Sequence, residues 1–317
     1  MLYDLFVHIV VHFYHVVNSC DAFLFLHLNL YVVFVYIIHG FQSAGKPATV
    51  RPRQIGQRHE RIAMELNAQI TGEGSPLVVL HGLFGSARNW TSIARGLADI
   101  RQVHALDLRN HGASGWSDEM TYERMAEDVA AYIERRGLAP ADLLGHSMGG
   151  KTAMVLALVY PELVERLIIV DIAPVDYQRD SFPTYVEAMQ AIDLERVARR
   201  AEVDAQLAEA IPDASLRAFL LQNLVSQDGR FHWRLNLAGI GANLPAVTAF
   251  PRFDRSFDGP TTFLAGEQSD YIRPRDEGAI HRLFPQATIF EVGQAGHWPH
   301  AEQPKRFLAL VRTALNH

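Results

Sequence analysis

Ser147 sits in Gly145-His146-Ser147-Met148-Gly149, a serine with a glycine two positions away on either side. Its hydroxyl is a weak nucleophile until a neighbouring base takes the proton. The small neighbours let such a serine occupy a tight strand-to-helix turn, where the helix N-terminus favours developing negative charge. Gly-rich turns of this kind also bind phosphate, so the motif needs partners before it signifies catalysis. A base is available in Gly293-Gln294-Ala295-Gly296-His297-Trp298-Pro299-His300. Gly296 frees the backbone before His297, and Trp298-Pro299 stiffens it afterwards. An imidazole of ordinary pKa, about 6.5, suits proton transfer near pH 7. His300 reads as a rim or surface residue.

Such a pair attacks a carbonyl carbon, and the oxyanion that forms needs two N–H donors, each contributing about 3 to 4 kcal/mol. One is the backbone amide after the nucleophile, that of Met148. The other is expected from His81-Gly82-Leu83-Phe84-Gly85, with the Leu83 amide first and that of Phe84 second. His81 reads as a hydrogen bonder that orients this loop. A carboxylate must also fix the imidazole tautomer. Two positions compete for that role: Asp171, in Val170-Asp171-Ile172-Ala173-Pro174, and Asp270, in Gly266-Glu267-Gln268-Ser269-Asp270. The residue types alone leave both open.

These residues need a scaffold that brings distant loops to one place. From Met64 onward, short apolar runs alternate with helical patterns, which predicts an α/β domain with a mostly parallel sheet flanked by helices. Strands are expected at 64–70, 77–80, 103–106, around Leu143 and Leu144, and at 167–170, 261–265 and 288–292. Met125, Val129, Tyr132 and Ile133 share one helical face. The nucleophile motif lies between a strand and a helix through Val155–Val159, and the last helix carries Phe307, Leu308, Leu310, Val311 and Leu315. From about 175 to 258 the pattern turns helical and charged, with Leu194, Val197, Ala201, Ala208 and Ile211 at helical spacing. Asp213 is placed to cap a further helix through Leu216, Phe219, Leu220 and Leu224. This predicts a helical lid inserted between two strands, with Phe231 and Trp233 packing inside it. Asp107, Arg109, Asn110 and His111 are expected to hydrogen-bond the backbone around the nucleophile turn, and Lys151 to be solvated.

Residues 1–63 differ in composition. Residues 22–38 are apolar apart from His27 and Asn29, at the lower edge of the roughly 17–25 residues a spanning helix needs. A basic linker follows, with Lys46, Arg51, Arg53, Arg58 and Arg61. Apolar then basic resembles a membrane anchor with a cytoplasmic flank. The alternative is an extension upstream of a natural start at Met64. No basic residue precedes the apolar stretch, so it makes a poor signal peptide. The expected compartment is the cytoplasm, or a membrane reached through residues 22–38.

With 35 acidic against 29 basic side chains, the 317-residue chain offers nucleic acid no attraction. Its one cysteine, Cys20, excludes an intrachain disulfide and fits a reducing compartment. No dinucleotide fingerprint, Walker pattern or metal-ligand spacing occurs, so no cofactor or metal is expected.

Gly145–Lys151, Val170–Tyr177 and Asp107–Gly112 together resemble one branch of the α/β-hydrolase superfamily: small bacterial carboxylesterases and related animal mitochondrial abhydrolase-domain proteins. The likeness runs from about Met64 to the C-terminus. It implies an α/β-hydrolase fold with Ser147, Asp171 and His297 as the triad. In most of the superfamily the acid follows the strand after the insertion, where this chain has Ser269 and then Asp270. In the resembled branch a serine there assists, which Ser269 matches; Asp270 beside it is a departure. A serine at the turn excludes dehalogenase and epoxide-hydrolase chemistry, which place a carboxylate there. The expected function is hydrolysis of a small-molecule acyl ester of short or medium chain through an acyl-enzyme. Thioesters are the close alternative and carbon–carbon bond hydrolysis a remoter one. A binding module that has kept the shell without the chemistry is the rival from another class.

Overall fold

A computed structural model describes residues 63–177 and 181–316 of the chain. The apolar segment 22–38, Cys20 and the basic linker lie outside the described residues. Among those described, no helix is long and apolar enough to cross a membrane.

Leaving short single turns aside, the chain runs β1 (Ala68–Thr71), β2 (Pro76–Leu80), α1 (Thr91–Leu97), β3 (Gln102–Leu106), α2 (Tyr122–Arg136), β4 (Ala141–His146), α3 (Met148–Val159) and β5 (Val164–Val170). It continues through α4 (Ser181–Gln190), α5 (Arg200–Leu207), α6 (Ala214–Leu220), β6 (Leu224–Gln227), β7 (Arg230–Trp233) and α7 (Leu237–Thr248). It closes with β8 (Thr261–Gly266), α8 (Glu277–Leu283), β9 (Ala287–Val292), α9 (Pro299–Glu302) and α10 (Pro304–Asn316). Seven strands form one sheet in the order β1-β3-β2-β4-β5-β8-β9. Only β1 is antiparallel to its neighbour.

The middle strands are near-continuous Val, Ile and Leu because both faces are covered, as parallel sheets require. One face packs on α1 and α10 through Trp90, Ile93, Leu97, Phe307 and Val311. The other packs on α2, α3 and the inserted segment, through residues such as Met125, Val129, Met154 and Leu156. α2 starts where the Thr121 side chain accepts from the Arg124 amide, and it ends at Gly137 in the left-handed region. α3 is buried up to Leu158 and apolar on most of its surface, with Lys151 and Thr152 the exceptions, the signature of a central helix.

β1 is shorter than its alternating pattern predicts. The amides of Met64 and Asn67 are taken by the side chains of Asp128 and Ser114, so regular pairing begins only at Ala68. Between β5 and β8 the chain leaves the sheet for a mostly helical segment, with one correction to the expected pattern. The insertion holds a β-hairpin, β6–β7, and Leu224 lies in its first strand rather than on the helix that Asp213 caps. Phe231 and Trp233 alternate along β7, a period-two pattern too short to stand out among the charges.

The chain goes from β2 outward to β3 and then back across to β4, so the strand order reverses beside β2. Loops leaving the carboxyl ends of β2 and β4 therefore diverge and open a crevice, the place where open α/β sheets bind ligands. The His81 loop and the Ser147 turn are the two loops concerned.

Candidate active site

The chain enters the site at the end of β4, where the Ser147 amide donates to the Val170 carbonyl at 3.0 Å. Ser147 has φ 51° and ψ −117°, a conformation disfavoured for any residue with a Cβ. The flanking glycines make it feasible. A Cβ on Gly145 would lie 2.3 Å from the Gly149 carbonyl oxygen, and one on Gly149 would lie 2.4 Å from that of Leu80. Thus α3 starts pressed against the end of β2, with its first amides at the crevice.

His297 Nε2 lies 3.1 Å from Ser147 Oγ, and its Nδ1 lies 2.8 Å from Asp171 Oδ2. With Nδ1–H donating to the carboxylate, Nε2 carries the lone pair and accepts from the serine hydroxyl. Asp171 is fully buried and follows β5, again at positive φ, 49°. Its Oδ1 accepts from the Gly266 amide at 2.9 Å, and Oδ2 also accepts a short hydrogen bond from Ser269 Oγ. Three donors thus meet a carboxylate with no exposed surface, which fixes its orientation. Asp270 does not join them. The turn after β8, closed by the Ser269 amide on the Gly266 carbonyl, aims Ser269 inward. Asp270 instead pairs with Arg273 at 2.7 Å on the surface, so it is removed as an alternative acid.

The amides assigned to the oxyanion differ in availability. The Phe84 N–H donates to His111 Nε2 at 3.2 Å, whereas neither Leu83 nor Met148 offers its N–H to another described residue. The loop between them is heavily braced. His81 Nδ1–H donates to the Gly82 carbonyl and its Nε2 accepts from the Leu108 amide. Asp107 accepts from the Ala87 and Ala113 amides, and Arg109 is locked to Asp128 at 2.7 Å. Asp107 and His111 therefore hold the loop after β2 rather than the turn at Ser147 itself. Burial pushes His111 down to about 3 and lowers His81, so both stay neutral acceptors near pH 7.

Several contributors are not evident in the sequence. His146, inside the serine motif, sends Nε2–H to the His297 carbonyl at 2.7 Å and so ties the nucleophile's strand to the base's loop. Burial, then the nearby His300 and His297, hold its pKa well below the usual value. Glu302 accepts from the amides on both sides of His297, those of Gly296 and Trp298. The Tyr271 ring stacks on the imidazole at 3.7 Å. The nearness of Tyr271 to Ser269 in sequence is the one signal that could have found it. His300 is a correction: it is buried and stacked on Trp90 at 4.3 Å, with burial lowering its pKa to about 3. Lys151 is another. It is 1 % exposed, donates to the Thr248 and Ala249 carbonyls, and is brought by burial to about 7.

Ser147 stands between two spaces. An open cleft of about 230 Å³ is bounded by His297, Trp298 and His300 and by Tyr185, Leu216 and Phe219 of the insertion. A narrower pocket on the other side runs past Met148, Ile172 and Tyr177 to Lys151. Among the described residues no cluster of His, Cys, Asp and Glu converges as a metal site. The arrangement supplies a nucleophile, a base, a buried orienting carboxylate and two free amides, the set that acyl transfer uses.

Residues 75–304 match the family of the alpha/beta hydrolase fold. A mouse (Mus musculus) protein named sn-1-specific diacylglycerol lipase ABHD11 is 44% identical over 246 residues, 75% of this chain and 80% of the relative. Esterase YbfF of Escherichia coli is 32% identical over 249 residues, covering 78% and 96%. Among solved structures, a marine microorganism esterase is 39% identical with a TM-score of 0.77, covering 79% of this chain and 99% of that one.

Proposed function

Because this chain belongs to the α/β-hydrolase family, we propose that its esterase chemistry runs through Ser147, His297 and Asp171, with the amides of Leu83 and Met148 as the oxyanion hole. The chain is a carboxylic-ester hydrolase of the esterase and lipase kind. The observation that carries the residue assignment is the unbroken relay from Ser147 Oγ through both nitrogens of His297 to a buried Asp171.

Ser147 Oγ attacks the ester carbonyl carbon while His297 Nε2 takes its proton. The carbonyl oxygen becomes an oxyanion and lies between the amides of Leu83 and Met148, two buried residues. Asp171 stabilises the imidazolium, helped by the Ser269 hydroxyl. The imidazolium then gives its proton to the departing alkoxide, leaving an acyl group on Ser147. Water, activated by the same imidazole, attacks this acyl-enzyme and releases the acid. The substrates are esters of short or medium acyl chains. Glycerides fall within reach, because the apolar side chains of Leu216, Phe219 and Tyr185 at the cleft suit a bulky lipid-like alcohol.

The test is hydrolysis of p-nitrophenyl esters together with labelling by a fluorophosphonate, which traps an activated serine. Wild type should cleave and label, and Ser147→Ala should do neither. Equal labelling of the two would remove Ser147 from the mechanism.

A further inference from the structure

The alcohol half of an ester must lie where His297 can protonate it as it leaves. The cleft that contains His297 is therefore the alcohol side. The narrower pocket on the far side of Ser147, which His297 does not line, is left for the acyl group. It has room for only a few heavy atoms, about 30 Å³, and it ends on Lys151 with its ammonium held by the Thr248 and Ala249 carbonyls. An acyl chain of more than a few carbons cannot continue in that direction.

Beyond this pocket lies a third space, an open groove of about 830 Å³ between α4 and α7. On α7 it is lined by the small residues Ala238, Gly241, Ala242 and Pro245, with Leu244 and Thr248 beside them, and these leave a gap against Val186 and Glu187 of α4. The groove and the acyl pocket share three walls, Tyr177, Phe182 and Thr248. Tyr177 is fixed by its hydroxyl, which donates to the Tyr271 carbonyl and accepts from the Ala173 amide. Thr248 is fixed by its carbonyl on Lys151. The Phe182 side chain has no hydrogen-bonding group, and its ring lies edge-on to Phe84 at 6.3 Å and tilted on Tyr185 at 6.4 Å. It also lines the alcohol cleft, so one half-buried ring borders all three spaces.

We infer that Phe182 is the partition that sets acyl-chain length, closing the short acyl pocket off from the α4–α7 groove, and that the groove receives the distal methylenes of longer acyl chains once that ring is displaced or removed. The inference rests on the esterase reading above and adds the route of the acyl chain to it. The walls made by Pro183, Val186, Leu244 and Pro245 are suited to this, beside the polar Glu187 and Gln190, since each buried methylene contributes up to about fourfold in binding.

The experiment measures kcat/KM for p-nitrophenyl acetate, butyrate, octanoate and decanoate, and reads the octanoate-to-acetate ratio. Phe182→Ala should raise that ratio by about ten- to a hundredfold, the range set by a few further buried methylenes. Adding Ala242→Trp, which fills the groove from an exposed position on α7, should return the ratio toward that of wild type. Fluorophosphonate labelling of both variants reports that the serine remains activated and the protein folded. A ratio unmoved by Phe182→Ala in a protein that still labels overturns the partition. A ratio that rises but ignores Ala242→Trp overturns the groove as the chain's path. Failure of the esterase reading itself looks different, because wild type would then neither cleave nor label.

Discussion

Replacing Asp171 by asparagine separates the two acids that the sequence leaves open, and the structure fixes how the amide must sit. Of the two carboxylate oxygens, Oδ1 is the acceptor for the Gly266 amide at 2.9 Å. That N–H is buried and would lose its only acceptor if an NH₂ faced it, a cost of about 1 to 3 kcal/mol. The amide oxygen therefore takes the Gly266 side, and the NH₂ faces Ser269 Oγ and His297 Nδ1. An NH₂ can only donate, so Nδ1 must become the acceptor and the ring proton moves to Nε2. A protonated Nε2 cannot take the proton of Ser147. The expected loss in kcat is about 10,000-fold, near 5 kcal/mol, with KM nearly unchanged. The fold should survive, because the two side chains have the same shape. In Asp270→Asn the surface ion pair with Arg273 is lost, contributing at most about 1 kcal/mol to stability, and kcat should stay within about threefold. Steady-state kinetics on p-nitrophenyl butyrate, with thermal melts as the folding control, read both. A well-folded Asp171→Asn within tenfold of wild type would refute the reasoning, as would a loss of orders of magnitude in Asp270→Asn.

Ser269→Ala removes one of three donors to Asp171 and should lower kcat by about tenfold, the equivalent of one hydrogen bond to a charged group, with the melting temperature little changed. Gly149→Ala should abolish fluorophosphonate labelling and lower the melting temperature sharply, because the new Cβ would sit 2.4 Å from one backbone oxygen and 2.6 Å from another. His300 is held near 3 when folded, against about 6.5 when unfolded, so the unfolded chain binds the proton first as pH falls. Its contribution to stability is complete above about pH 6.5 and is lost progressively toward pH 3. His300→Phe, which keeps a ring on Trp90, should flatten that dependence by up to about 1.4 kcal/mol per pH unit in urea unfolding between pH 4.5 and 6.5.

Much of this site is legible in the sequence because its main parts are local. Gly145 to Gly149 is contiguous, lies between an apolar strand and an apolar helix, and announces the turn by residue type alone. His297 follows a strand and precedes a helix, with Gly296 beside it. Asp171 and Asp270 look alike in the sequence, since both lie just past a strand. The difference is made by one tight turn at Gly266 that sends Ser269 inward and Asp270 outward. His146, Glu302 and Lys151 act through backbone groups up to 151 residues away in sequence, and those partnerships have no local pattern. In the sequence Lys151, behind a glycine pair, resembles a solvated residue, and only the end of α7 reveals the two carbonyls that hold it. The β6–β7 hairpin has no distinct signature, because four-residue strands among charges fit a helical period equally well.

Phe84, Ser147 and Asp171 share a torsional peculiarity: all three have φ between 49° and 61°, where L-residues pay about 1 to 3 kcal/mol. Some of the molecule's torsional tension thus sits where it works, held taut like a sprung latch by the sheet beneath. Glycine at position 147 would release that tension and delete the hydroxyl together. The resulting protein should be inert yet hardier to heat than its parent, and suited to holding an uncleaved ester in place.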